Sequence, residues 1–283
     1  MNAVLEGVLA DLQEESAYVE SLLADLDEAG WRTATPAEGW DVATTVAHLL
    51  WTDESSVKAI AGTLLVNGEA DKEPWDALVM DAFGDPTGFV DTAALTIAKT
   101  HTGTELLERW RASKAALAAA LRTVPDGQKL MWFGPPMAPA SMATARLMET
   151  WAHGLDVADA VGAAHSVTDR IRHVASIGFR TRNFAFAQNG LEAPAEPIRL
   201  ELTLPSGAPL VFGPDDADWS GQTVTGSAYD FAALATQRVH RDDTDLVATG
   251  ADAETWLTIA QAFAGPTGGG RAPKTASTEE GTA

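Results

Sequence analysis

The chain of 283 residues contains no cysteine, and its 19 Lys and Arg residues face 40 Asp and Glu, for a formal net charge of -21. Without cysteine it can form no disulfide, thiolate metal site or iron–sulfur cluster, and it has no cysteine nucleophile. The shortage of positive charge disfavours nucleic acids and anionic membranes as partners, because affinity for nucleic acids comes mostly from phosphates neutralised by Lys and Arg.

Long apolar runs are also missing. No stretch reaches about 18 uninterrupted apolar residues, so no membrane span is predicted. Residues 1–16 are acidic and lack the basic and apolar regions of a signal peptide. We therefore expect a cytoplasmic protein. The composition, with 46% hydrophobic and 21% charged residues, is that of a globular chain, and the length suggests two domains.

Apolar residues at helical spacing predict four long helices in the first part of the chain. Asp41 and Ser141 are the expected N-caps of the second and fourth helices, and Gly162 ends the fourth. Residues 72–87 are predicted to form a connection with at most one short helix. Four long helices favour an antiparallel bundle. The predicted helices cover residues 2–29, 41–66, 88–123 and 141–161.

The pattern changes after residue 163, where strict alternation at 198–204 followed by a Pro-Ser-Gly turn predicts a β-hairpin. A small α+β domain is expected there. The domain prediction is a bundle at 1–163, an α+β domain at 164–265 and a disordered tail at 266–283. The other predicted elements of the α+β domain are helices over about 167–188, 228–239 and 251–264, and strands at 209–212, 223–225 and 246–249.

Three residues of the predicted bundle form a candidate metal site. Glu149 and His153 are spaced i, i+4, so both lie on one face of the fourth helix. His48 occupies an apolar position of the second helix and should point inward. Nitrogen and oxygen ligands predict a divalent ion, Zn²⁺ first, with Ni²⁺, Fe²⁺ or Mn²⁺ as alternatives, and three protein ligands leave an open position for catalysis. The alternative is a helix-stabilising Glu–His pair and a hydrogen-bonded core histidine.

Neighbouring residues admit two interpretations each. Arg146, three residues before Glu149, can hold a substrate carboxylate or pair with Glu149 itself. Asp156 can accept a hydrogen bond from His153 or be solvated. Three further features can wall the site or serve only as core and connector: Trp51, Trp151 and the loop 132–137.

Two segments carry a family resemblance. The strings AEGWDVATTVAHL at 37–49 and RLMETWAHGLDVADA at 146–160 resemble the DinB-type, mycothiol-dependent maleylpyruvate isomerase N-terminal family. A closer resemblance, which includes WLTIAQAFAG at 256–265, is to an actinobacterial subgroup described as metal-binding and wyosine-base-formation-like. The resemblance extends to about residue 271. It implies a DinB-like antiparallel four-helix bundle followed by a smaller, sterol-carrier-like α+β domain.

The resemblance also implies a function. It suggests a divalent-metal triad of His48, Glu149 and His153, with mycothiol as cosubstrate. Arg146, from its spacing to Glu149, is expected to orient a small electrophilic acceptor. The expected enzyme is a thiol S-transferase or a thiol-assisted isomerase, in which the metal stabilises the thiolate. The absence of cysteine fits sulfur that arrives with a cosubstrate, and it fits ordinary avoidance of cysteine equally well. The alternatives are a non-catalytic metal- or small-ligand-binding protein and a metal-dependent hydrolase that uses an activated water.

Overall fold

The computed structural model describes residues 2–263 and 265–274, in which the chain is mostly helical with one four-stranded sheet. It forms two compact units, Met1–His165 and Ser166–Ala283. Of the predicted disordered tail, residues 275–283 lie outside the described residues. Among the helices described, none is long and apolar enough to cross a membrane.

The first unit is built around four helices of 21 to 23 residues. Helix α1 packs on α7, and α3 packs on both α6 and α7. Large apolar side chains such as Trp110, Leu106 and Leu147 are completely buried between them. The helices of this unit are α1 (Ala3–Leu23), α2 (Glu28–Trp31), α3 (Val42–Thr63), α4 (Glu73–Gly84), α5 (Phe89–Thr100), α6 (Gly103–Thr123) and α7 (Pro139–Val161).

Two predicted helix ends are confirmed by their caps. The Asp41 side chain accepts a hydrogen bond from the backbone N–H of Thr44 and starts α3. Gly162 adopts a left-handed conformation, with φ of 68°, and ends α7. Ser141 is not the cap that we expected, because α7 already begins at Pro139, whose fixed φ suits the first helical position.

Three other predictions for this unit differ from the structure. The predicted helix over 88–123 is interrupted after Thr100, because Thr102 and Glu105 form a capping box that starts α6 anew. The predicted connection over 72–87 contains one helix, as the prediction allowed, but this helix, α4, is 12 residues long and occupies most of the segment; it has a proline in its first turn. The first helix also ends at Leu23, and α2 is a separate short helix.

The second unit combines a mixed sheet with short helices. The strand order is β2-β1-β3-β4, with β1 antiparallel to β2, parallel to β3, and β3 antiparallel to β4. The predicted hairpin is confirmed, and its alternation buries Ile198, Leu200 and Leu202. The helices and strands of the second unit are α8 (Arg172–Arg180), α9 (Arg182–Gln188), β1 (Ile198–Thr203), β2 (Pro209–Phe212), β3 (Gln222–Ser227), α10 (Ala228–Ala235), β4 (Val247–Thr249) and α11 (Ala251–Ile259).

The predicted helices of this unit are too long. The helix expected over 167–188 is a 3-10 turn at Asp169–Ile171 followed by α8 and α9, which are separated at Thr181. The last two helices end at Ala235 and Ile259, before the predicted residues 239 and 264. After α11, Ala260 and Ala262 are still buried although they lie in a non-helical segment.

Candidate metal centre

The candidate metal centre lies between α3 and α7, which pack directly on each other. His48 comes from α3, in a stretch where Val46, Ala47, Leu49 and Leu50 are all buried. A helix that is apolar on every side is enclosed by its neighbours, so the imidazole of His48 is held inside the unit.

The structure brings the three predicted ligands together. The Nε2 atom of His48 is 3.3 Å from Oε2 of Glu149, and Nε2 of His153 is 3.5 Å from the same oxygen. One ligand atom from each residue lies within 4.8 Å of the other two. Ligands about 2.0–2.1 Å from a tetrahedral zinc ion are separated by about 3.4 Å. The residues therefore fit a divalent ion bound by two imidazoles and a carboxylate.

The protonation states of the site suit a metal as well. Burial lowers the pKa of His48 to about 4, an effect to which His153 and Arg146 add and which Glu149 opposes. Burial raises the pKa of Glu149, but hydrogen bonds from His153 and His48 and the charge of Arg146 outweigh it and hold this pKa well below its ordinary value. At neutral pH, His48 is an uncharged imidazole and Glu149 a carboxylate, which are the forms that bind metals.

Asp156 supports one of the two imidazoles. Its Oδ2 lies 3.1 Å from Nδ1 of His153, and the residue is 1% exposed, so the solvated alternative is wrong. With a metal bound, a proton on Nδ1 that is shared with Asp156 would leave the lone pair of Nε2 for the ion. His48 differs, because its Nδ1 is buried and has no hydrogen-bond partner among the described residues.

Trp40 covers the site, and sequence reasoning missed it. Its indole stacks on the His153 ring with centroids 5.5 Å apart and an interplanar angle of 18°, and it lies 5.1 Å from the His48 ring. Backbone hydrogen bonds from Thr35 to Trp40 and from Trp40 to Ala37 fix the loop that carries it. The available signal was its position directly before the helix cap, two turns ahead of His48.

Arg146 lies beside the triad and is almost completely enclosed. It is 4% exposed, and its Nη2 is 3.9 Å from Oε1 of Glu149, beyond hydrogen-bonding distance. The guanidinium lies over the ring of Trp132, 5.4 Å from its centroid. Its Nε and Nη1 atoms are buried without a partner in the described part of the chain, so Arg146 retains unused hydrogen-bond donors.

Asp53 is a second buried group that sequence reasoning missed. It lies on α3, five residues after His48, and accepts a 3.3 Å hydrogen bond from the hydroxyl of Ser113. Burial raises its pKa to about 7, although Arg146 and Ser113 act in the opposite direction. An acidic residue inside the apolar stripe of a predicted core helix was the signal that could have identified it.

The aromatic residues near the site belong to the core. Trp151 is 1% exposed and Trp51 8%. Trp51 stacks on Phe133, which also contacts Trp75. The predicted loop 132–137 is therefore no simple exposed connector, because its first two residues pack in this aromatic cluster.

Known proteins resemble this chain in sequence and in fold. Residues 12–158, which include the triad, match the family model described as the mycothiol maleylpyruvate isomerase N-terminal domain. An uncharacterized protein from two strains of Mycobacterium tuberculosis, CDC 1551 and H37Rv, is 49% identical over 263 residues, which cover 93% of this chain and 97% of the relative.

Two solved structures share the fold. One is a mycothiol-dependent maleylpyruvate isomerase, with a TM-score of 0.55 and 16% identity, and the match covers 88% of this chain and 96% of that one. The other, a histidine-to-alanine mutant described as the same enzyme, gives a TM-score of 0.54 at 17% identity with the same coverage. Both are similar to the mostly helical architecture with a small mixed sheet seen here.

Proposed function

The chain belongs to the mycothiol maleylpyruvate isomerase N-terminal domain family, and from this premise we propose that it is a divalent-metal-dependent and mycothiol-dependent isomerase of a small electrophilic metabolite. The observation that carries the proposal is the spacing of His48, Glu149 and His153, which matches that of ligands around one ion.

We extend the proposal to the architecture. The long helices α1, α3, α6 and α7 are assigned to a DinB-like antiparallel bundle within residues 1–163, and the sheet with its helices to a sterol-carrier-like domain within 164–265. The packing of the four helices and the mixed sheet support this assignment. We also propose a cytoplasmic location, because a free-thiol cosubstrate needs a reducing compartment.

His48, Glu149 and His153 would hold the ion, and Zn²⁺ suits these ligands best. A bound dication supplies the local positive charge that lowers the pKa of a thiol near it. Asp156 would fix the ring of His153 through Nδ1, and Trp40 lies against both imidazoles. The thiol would use the coordination position that three protein ligands leave open.

The proposed reaction is a reversible addition of sulfur to a double bond conjugated with a carbonyl. The thiolate forms a C–S bond, and the π electrons of the double bond move to the carbonyl oxygen as an enolate. Rotation about the new single bond follows, and the electrons then return and expel the thiolate, which restores the double bond in the other configuration. S-transfer would differ in its last step, in which the enolate carbon takes up a proton and the sulfur stays attached.

Arg146 is proposed to orient the acceptor. Its buried Nε and Nη1 lack partners among the described residues, and unpaired buried donors strongly favour an incoming acceptor group such as a carboxylate. The ring of Trp132 lies against the guanidinium.

Substitution of the ligands tests the proposal. His153→Ala should lose bound metal after loading with Zn²⁺ and dialysis, whereas the wild type should retain one ion per chain, as measured by elemental analysis. His165→Ala is the matched control, because His165 also pairs with a carboxylate, Asp159, outside the site. Glu149→Gln changes the charge with little change in volume and should also lose the metal. It provides the test if His153→Ala does not fold. Full metal retention by both folded variants would overturn the assignment.

A further inference from the structure

A cavity of about 270 Å³ lies beside Trp40, whose ring stacks on His153 of the candidate metal centre. The loop around Trp40, the start of α3 and the end of α5 line it, and we call it the Trp40 pocket. Its lining includes Arg32, Trp40, Asp41, Thr44, Leu95 and Lys99. We propose that the Trp40 pocket is the subsite for the polyhydroxylated, sugar-like part of the thiol cosubstrate. This inference rests on the proposed function.

The position of the pocket fits a ligand whose sulfur lies at the triad. Thr44 precedes His48 by four residues on α3, which places them about 6 Å apart along the helix axis. Trp40 lines the pocket and also stacks on His153. In mycothiol a single N-acetylcysteinyl unit joins the thiol to a glucosamine linked to inositol. One amino-acid unit spans a distance of this order, so the sugar rings would reach the pocket.

The side chains of the pocket suit a neutral polyol. An indole face accepts the C–H groups of a sugar ring, a carboxylate accepts hydrogen bonds from hydroxyls, and a guanidinium donates to them. Arg32 supplies the guanidinium and Asp41 the carboxylate, with Nη1 and Oδ2 3.5 Å apart and the side chains 41% and 23% exposed. The lining carries two cations, Arg32 and Lys99, and one carboxylate, Asp41, so the hydroxyls of a polyol find both hydrogen-bond donors and an acceptor there.

The pocket is held in shape before any ligand arrives. Oδ1 of Asp41 accepts hydrogen bonds from the N–H of Thr44 at 2.7 Å and from its hydroxyl at 2.6 Å. Arg32 donates through Nη2 to the carbonyl of Ala98 at 2.9 Å. Leu95 adds an apolar wall. Groups that are already positioned lose little conformational entropy on binding, which favours a specific site.

Direct binding of the thiol-free fragment tests the subsite. Full-length protein should bind glucosaminyl-inositol in isothermal titration calorimetry, and Arg32→Met and Leu95→Phe should each weaken binding by about tenfold or more, through a lost donor and a filled cavity. Arg180→Met is the matched control, because Arg180 is exposed and also donates to a backbone carbonyl, that of Ser176. Circular dichroism verifies that each variant is folded.

Three results would overturn the subsite: no binding by the wild type, equal binding by the wild type and both pocket variants, or displacement of the fragment by inorganic phosphate. A kinetic measurement separates this failure from that of the proposed function. Arg32→Met should raise the ratio of KM for mycothiol to KM for N-acetylcysteine, and Arg180→Met should not. If the fragment binds with the expected effect of the variants but no thiol-dependent turnover is found, the subsite is supported and the proposed function is rejected. If turnover is found but the KM ratio is unchanged and the fragment does not bind, the function is supported and the subsite is rejected.

Discussion

At the scale of single residues, Asp53 links the interior of the first unit to pH. Its pKa is raised from 3.8 to about 7, because burial disfavours the carboxylate. The folded state therefore holds this proton more tightly than the unfolded chain. The contribution of protonated Asp53 to the free energy of unfolding is therefore fully present below about pH 4 and is lost as the pH rises through about 7. A shift of this size corresponds to roughly 4 kcal/mol.

Asp53→Asn should remove the loss of stability that ionisation of Asp53 causes at high pH. The free energy of unfolding of the variant, measured with urea, should exceed that of the wild type at pH 8, and the difference should shrink toward pH 4. Asp81→Asn, at an exposed position of α4, is the control and should show no such difference. A variant that is less stable than the wild type at pH 8 would show that the charge of Asp53 is needed by its surroundings.

The residues of the candidate site differ in how well the sequence predicts them. Glu149 and His153 belong to one helix, so their spacing alone puts them on one face. Trp40 reaches the imidazoles from a loop, and its stacking depends on how that loop packs against α3 and α7. The raised pKa of Asp53 depends on burial by neighbouring helices. Contacts across elements of this kind have no periodicity that a single sequence reveals.

At the scale of the element, the start of α6 is defined by a cap and a close contact. Gly103 follows Thr102, and a Cβ atom added at Gly103 would overlap the indole ring of Trp31. Helical spacing of apolar residues continues across this point, which is why a single helix over 88–123 was predicted. The break is set by the capping box of Thr102 and Glu105, a signal that competes with periodicity.

A pair of glycine substitutions tests this contact. Gly103→Ala should lower the free energy of unfolding by about 1–3 kcal/mol, because the methyl group forces Trp31 to move. Gly7→Ala is the matched change in α1, where nothing lies within 4 Å of the added Cβ, and it should stabilise the protein by about 0.4–1 kcal/mol. Denaturant unfolding measures both. Equal effects of the two substitutions would contradict the close contact at α6.

At the scale of the whole molecule, the formal net charge of -21 opposes compaction. Raising the ionic strength from about 0.01 M to 0.15 M shortens the screening length from about 30 to 8 Å, which weakens this repulsion. Surface ion pairs such as Arg122–Glu6 are screened as well, but pairs of this kind contribute little.

The melting temperature should therefore rise with added NaCl, by about 2–4 °C for each kcal/mol of repulsion removed. Differential scanning calorimetry of the metal-free protein at pH 7 provides the measurement. A melting temperature that falls with salt would show that the ion pairs outweigh the repulsion.

The whole-molecule organisation was predicted well where the pattern is long. Periodic helices followed by an alternating hairpin predicted a mostly helical chain with a small sheet, and the structure has both. The parallel pairing of β1 with β3 was not predicted, because it joins strands that are distant in sequence and leaves no local signal.

The central claim is that the triad holds a metal on which thiol-dependent isomerisation relies. The measurement is the change in ultraviolet absorbance of cis-configured unsaturated acids, beginning with maleylpyruvate, with and without mycothiol. We use metal-loaded, chelator-stripped and reloaded protein. The account predicts turnover that requires both metal and mycothiol, disappears on stripping and returns on reloading. Equal turnover by the stripped protein, turnover without thiol, or no acceleration of any acceptor would contradict it.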